Sequence, residues 1–138
     1  MNDKTISWPS QIQVQVTPAY LENQSNPANS EFVFSYTVEI SNLGDESVQL
    51  LSRHWIITDA NNLVREVQGD GVIGQQPHIS PGETYRYSSG AILTTKTGMM
   101  EGSYTMLSNS GESFKAAIPT FGLIHPGSLQ ITILKIRG

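Results

Sequence analysis

Apolar and polar residues alternate with a period of two along most of this chain, and a convincing stripe at helical spacing is missing. Ile12, Val14 and Val16 alternate with glutamines, and Pro18 then marks an edge strand or a bend, because proline has no N–H for a ladder. The longest alternating set is Phe32, Phe34, Tyr36, Val38 and Ile40, closed by the turn cluster "SNLGDES". In the next strand Leu51, Trp55 and Ile57 are assigned to one face and Leu50, His54 and Ile56 to the other. "DANN" at 59–62 turns the chain, since Asn tolerates the positive φ of a tight hairpin, and "LVREV" returns it. "SPGE" sets Pro81 and Gly82 where a type II turn wants them, before the strand "TYRYSSG". "SYTMLSNSGESFKAAI" predicts a hairpin about Asn109–Gly111, and "SLQITILKI" a last strand over 128–136.

Seven or eight short strands with regular turn signals predict an all-β sandwich or barrel. Two features favour an immunoglobulin-like, fibronectin type III-like β-sandwich. Trp55 sits mid-strand in the third element, where such sandwiches keep a core tryptophan, and Tyr104 stands two residues before Met106 in the manner of a tyrosine corner. At 138 residues the chain fits a single domain spanning 1–138.

Charge and composition narrow the partners. A net charge of −4, with eight scattered Lys and Arg, argues against duplex nucleic acid or an anionic membrane. The absence of cysteine fits a reducing compartment. "MNDKTISWPSQIQ" has no apolar core of a signal peptide, and no stretch approaches the roughly 18 apolar residues of a spanning helix, so the expectation is a cytoplasmic protein.

Gly69, Gly71 and Gly74 have the G-x-G-x-x-G spacing of a dinucleotide fingerprint. That site needs a helix after the loop and an acidic residue about twenty residues on. Pro77 and Pro81 leave no room for the helix, and the sequence reads "SSG" near position 89, so a Rossmann site is excluded. Two readings stay open. The glycine amides at 69, 71 and 74 form a nest for phosphate, with Asp70 repelling the anion unless Mg²⁺ intervenes; or they supply positive φ in an irregular connection over 69–80 that crosses between the sheets. On the second, Val72 and Ile73 pack on the sandwich edge, Pro77 and Pro81 stiffen the exit, and Gly71→Val harms folding.

Other chemistry is sparse. His54, His78 and His125 have no metal-ligand spacing, and His54 beside Trp55 is expected to be a hydrogen-bonded strand residue. Asp59, Glu66, Asp70 and Glu101 read as solvated carboxylates, with convergence on Mg²⁺ as the alternative. No serine lies in a nucleophile elbow. Met99, Met100 and Met106 are expected as buried filler. No catalytic residue, metal site or cofactor is assigned.

The stretches "VQLLSRHWIITDANN", "VQGDGVIGQQPHISPGETYRYSSG", "TGMMEGSYTM" and "IPTFGLIHP" together resemble the ApaG family, above all in G-x-G-V-x-G-x-x-P, then P-G-E, then G-x-Y-x-M. The resemblance runs from about residue 12 to about residue 133, with Asn62 where many relatives have glycine and Lys96 where proline is common. It implies a fibronectin type III-like sandwich and a bacterial cytoplasmic protein, often encoded beside a dinucleoside tetraphosphate hydrolase and an rRNA adenine dimethyltransferase. It also implies a link to cobalt tolerance and magnesium efflux, and reuse as a protein-binding domain in eukaryotic F-box and polymerase-delta-interacting proteins. No agreed reaction comes with it. The leading expectation is a non-catalytic module with a protein partner; open edges make a homodimer through paired strands the form self-association would take. The alternative is nucleotide or pyrophosphate binding at Gly69, Gly71 and Gly74, with or without Mg²⁺; direct cobalt or magnesium sensing ranks last.

Overall fold

A computed structural model describes residues 7–127. Eight strands occupy them: β1 (Ile12–Tyr20), β2 (Phe32–Asn42), β3 (Val48–Asp59), β4 (Val64–Asp70), β5 (His78–Ile79), β6 (Thr84–Leu93), β7 (Thr97–Ser108) and β8 (Ser113–Ile124). The strand expected over 128–136 lies outside the described residues. One sheet has the order β1-β2-β6; the other runs β4-β3-β7-β8, with β5 also paired to β3. Every pairing is antiparallel, and the two sheets bury one core between them. The chain is thus the immunoglobulin-like β-sandwich that the alternation predicts.

β2 shows why the pattern reads so cleanly. Phe32, Phe34, Tyr36, Val38 and Ile40 all point inward while the residues between them are half-buried. Pro18 sits on β1, an edge strand among the described residues, opposite Tyr36. The turns follow their chemistry too: Asn62 (φ 65°), Gly82 (φ 82°) and Gly111 (φ 98°) carry the positive dihedrals.

β3 departs from the simple pattern. Its pairing with β7 slips between Leu50 and Ser52, so Leu51 is an extra residue, a β-bulge. The bulge reverses the inward set: Val48 and Leu50 are buried before it, Trp55 and Ile57 after it. The assignment of Leu51 inward and Leu50 outward is therefore corrected; period two holds only between bulges. β8 repeats the device, with its extra residue falling at Pro119–Thr120, where a residue without an N–H costs the ladder nothing.

Trp55 is buried as expected, edge-on to Tyr36 with ring centroids 5.1 Å apart. Tyr104 is not a tyrosine corner. It stands within β7, and its hydroxyl bonds that of Tyr87 on the opposite sheet rather than an upstream backbone group. Met100 and Met106 fill the core, but Met99 is 46% exposed because it points away from it.

One buried polar residue ties two connections together. Asn42 donates Nδ2 to the carbonyls of Glu46 (2.8 Å) and Ile79 (2.9 Å), and its Oδ1 accepts the Gly44 N–H (2.9 Å). Its amide thus fixes the β2–β3 turn against β5, from which the chain returns to the first sheet as β6. An Asn42→Asp substitution keeps the shape but turns a carboxylate oxygen toward two carbonyls. The expected loss is about 2–3 kcal/mol of unfolding free energy, measured by urea denaturation.

Candidate functional site

β4 and β5 lie along the same edge of β3, β4 against Ser52–Thr58 and β5 against Val48–Gln49. The glycine-rich segment is the excursion between them. The bulge residue anchors it: the Leu51 carbonyl accepts the Gly71 N–H (2.8 Å) and the Gln76 side-chain amide (2.8 Å). At its tip Val72 and Gln75 exchange both backbone hydrogen bonds, at 2.8 and 2.9 Å, around Ile73 (φ 48°) and Gly74 (φ 74°). Two central residues at positive φ are the mark of a type I′ hairpin loop.

Each fingerprint glycine has a separate physical task. Gly69 is an ordinary strand residue opposite Arg53, and a Cβ there would come within 3.0 Å of both terminal guanidinium nitrogens. Gly69 therefore gives Arg53 its seat. Gly71 (φ 63°) turns the chain so tightly that a Cβ would lie 2.2 Å from the Gln75 carbonyl oxygen. Gly74 has open space around it and is needed only for its dihedral. The expectation of an irregular crossing between the sheets, with all three glycines at positive φ and both Val72 and Ile73 packed, is corrected: the turn joins β4 to β5 along β3 within one sheet, and only Gly71 and Gly74 have positive φ. Val72 is buried, but Ile73 occupies the tip of an ordered turn and is 61% exposed.

Beside this turn the sandwich is open. Among the described residues β4 ends one sheet and β6 ends the other, and between them run two adjoining cavities of about 520 and 290 Å³. Tyr36, Arg53, Trp55 and Ser89 line both. Arg53 faces inward because it precedes Trp55 by two positions. Its Nη1 donates to the carbonyls of Asp70 (3.1 Å) and Gly71 (2.9 Å). Arg65 reaches across the mouth from β4 and donates Nη2 to the Ile92 carbonyl on β6 (2.9 Å). The rim is apolar, with Val67 41% and Ile92 56% exposed.

Deeper in, the Tyr87–Tyr104 hydroxyl pair joins the two sheets. Burial pushes Tyr87 up to about 12 despite the bond to Tyr104. Burial, followed by the neighbouring Tyr87, raises Tyr104 well above the usual tyrosine range. The pair is a structural clasp that stays protonated.

The remaining candidates are scattered. His54 points outward and bonds Glu66 Oε1 at 2.8 Å, the hydrogen-bonded strand residue expected of it. Asp59 caps the β3–β4 turn through the N–H groups of Asn61 and Leu63, while Glu101 accepts from Thr120. Asp59, Glu66, Asp70 and Glu101 are thus spread over separate local roles. Another hollow, about 550 Å³, lies where Thr58, Met99, Thr120 and Ile124 meet beside the β3–β4 turn. Arg53, Arg65, Tyr87 and Ile92 were not singled out from sequence. Only Arg53 left a signal there, its even spacing from Trp55.

Comparison with known proteins is consistent along nearly all of the described chain. A family model described as the ApaG domain matches residues 22–108. A protein named ApaG from Shewanella sediminis is 51% identical over 119 residues, 86% of this chain and 94% of the relative. One of the same name from Chromobacterium violaceum is 51% identical over 120 residues, 87% of this chain and 95% of the relative. The X-ray structure of the structural-genomics target SoR45 superposes with a TM-score of 0.83 at 48% identity, covering 88% of this chain and 92% of that one.

Two measurements check these roles. Gly71→Val should lose more than about 2 kcal/mol of stability, from clash and dihedral together, and Gly74→Ala about 1 kcal/mol from the dihedral alone. Ile73→Asn should gain about 1 kcal/mol, because a β-branched residue resists positive φ and Asn does not; thermal unfolding of the three variants gives the order. For the clasp, the unfolded tyrosines ionise near 10 and the folded pair does not. Its contribution is therefore complete below about pH 10 and is lost as pH rises toward and through 12. Urea midpoints should fall steeply over that window in the wild type and less steeply in Tyr87→Phe/Tyr104→Phe.

Proposed function

The chain belongs to the ApaG family, and from that premise we propose that it works without catalysis, as a protein-interaction module that binds through the open side of the sandwich. The observation that carries this is the edge pair. Among the described residues β4 and β6 each pair on one side only, and exposed Val67, Ile73 and Ile92 surround the groove between them. Natural sheets blunt such edges with proline, charged side chains, bulges or inward-pointing charges. β1 has Pro18; "TYRYSSGAIL" of β6 carries only Arg86, and "VREVQGD" of β4 has no proline but carries Arg65, Glu66 and Asp70, charges that make its edge selective for a complementary strand. An edge left in this state is a surface for another chain.

The uses of the polar groups support a role without chemistry. His54 is held by Glu66, the two buried tyrosines hold each other, and Arg53 is oriented by the backbone carbonyls that its Nη1 meets. The link to cobalt and magnesium implied by the family then runs through the partner. Among the described residues no three His, Asp or Glu side chains group as a ligand set. A chain without cysteine suits work in a reducing cytoplasm.

One observation favours a second reading, anion binding at the glycine turn: the Arg53 guanidinium lies against Gly69. Against it, the amides of Gly71, Val72 and Gln75 already donate to backbone carbonyls. On the interaction reading, ATP and diadenosine polyphosphates, with or without Mg²⁺, leave the amide resonances of 69–76 unmoved.

The direct test is affinity capture from the native host at physiological salt with two paired variants. Val67→Asp/Ile92→Asp places charge on the open side; Met99→Asp/Ile124→Asp places it on the other exposed apolar hollow. The first pair should lose the partners that wild type retains, and the second should keep them. Retention of every partner by the first pair overturns the proposal, and size-exclusion chromatography shows whether one partner is a second copy.

A further inference from the structure

We infer that the occupant of the open side is an extended strand added along the free edge of β4, with an acidic side chain turned inward to Arg53 and Arg65 and a neutral or basic one turned outward. The inference rests on the interaction reading and adds the partner's chemistry. It starts from register. β4 pairs Arg65 with Ile57, Val67 with Trp55 and Gly69 with Arg53, so these positions share the inward face. Val64, Glu66 and Gln68 face outward, opposite Thr58, Ile56 and His54.

The two faces of this edge have opposite charge. Inward stand two guanidiniums; outward stands Glu66. Among the described residues Arg53 and Arg65 are the charged lining of the larger groove cavity, both held by uncharged carbonyls, while Asp70 on the wall of the smaller one makes no ion pair with either. Among the described residues the carboxylates that meet a basic side chain are Glu66, hydrogen-bonded to His54, and Glu39, beside Arg86, so neither groove arginine has a carboxylate of its own. Two positive charges without a counter-ion, set between Trp55, Val67 and Ile92, attract a carboxylate more strongly than they would in open water.

Backbone geometry selects the form of the ligand. The outer edge of β4 offers N–H and C=O groups at strand spacing, which an extended chain satisfies. The side chains of that chain alternate, so the position that reaches the arginines is followed by one that meets Glu66. Neighbouring inward positions lie over Val67 and Ile92 and want apolar side chains. The recognised sequence is therefore apolar and acidic on one face, and polar or basic on the other.

Two blocked octapeptides of identical composition test this by NMR. Both alternate valine and threonine around a central charged pair, one with Glu on the valine face and Lys on the threonine face, the other with the two exchanged. The Glu-inward isomer should bind roughly tenfold tighter, one good charge-assisted contact, and shift the amides of 64–70. Arg65→Gln, on an exposed side chain, should erase the preference while the fold, followed by the remaining amides, is unchanged. Equal affinities, a preference that survives Arg65→Gln, or shifts away from β4 would each overturn the inference. So would inorganic pyrophosphate moving the arginine side-chain signals when neither peptide does. If Val67→Asp/Ile92→Asp still abolishes native capture while the isomers bind alike, the interaction reading stands and the acidic strand alone falls.

Discussion

Leu51 is one residue more than the alternation of β3 can place, and the ladder accommodates it as a bulge. Because of it Val48 and Leu50 enter the core from one parity and Arg53, Trp55 and Ile57 from the other. Without the extra residue, either Leu50 would face solvent or Trp55 would. On its β4 side the same residue stays in register, and its carbonyl carries the β3–β4 ladder on to Gly71 by accepting the Gly71 N–H and the Gln76 side chain. The same local irregularity thus completes the core, brings an arginine inside and ties down the glycine turn. The groove exists because these three consequences coincide at the end of one strand.

The glycine spacing shows how one pattern arises from unrelated physics. In a dinucleotide site the glycines let a helix N-terminus approach pyrophosphate. Here Gly69 makes room for a guanidinium, Gly71 for a carbonyl, and Gly74 supplies a dihedral. Gly71 and Gly74 serve the turn, Gly69 serves the groove wall, and the spacing follows from where β4 ends.

Strand positions and core faces were legible wherever alternation ran unbroken, as in β2, and wherever turn chemistry was explicit, as at Asn62 and Gly82. Legibility failed at the bulges. A bulge is a property of two strands in register, and a single strand's pattern of leucines at 50 and 51 has no means of saying which one is inserted. The site was harder still. Arg53 sits two positions before Trp55, so parity alone would have placed it inward, but an inward arginine makes sense only once Gly69 and the carbonyls of Asp70 and Gly71 are known to face it. Tyr104 was assigned a motif from its distance to Met106; its true partner, Tyr87, lies on the other sheet. The edges of β4 and β6 emerge only from topology, because no local sequence property announces which strands will end a sheet.

Ile73 brings two costs together in one residue. Its left-handed backbone disfavours a β-branched side chain by roughly 1–2 kcal/mol, and its largely exposed side chain recovers little of that through burial. An asparagine would relieve both. Strain of this kind persists where surrounding structure over-determines it, and the turn does so here through Gly71, Val72 and Gln75. What the strain accomplishes is position: it holds an exposed apolar side chain at the wall of the smaller groove cavity, beside Arg53 and Trp55. A strand added to the free edge of β4 would reach Ile73 just past Asp70. Contact there would recover as intermolecular burial what the free chain forgoes, at the same turn whose Gly71 carbonyl holds Arg53.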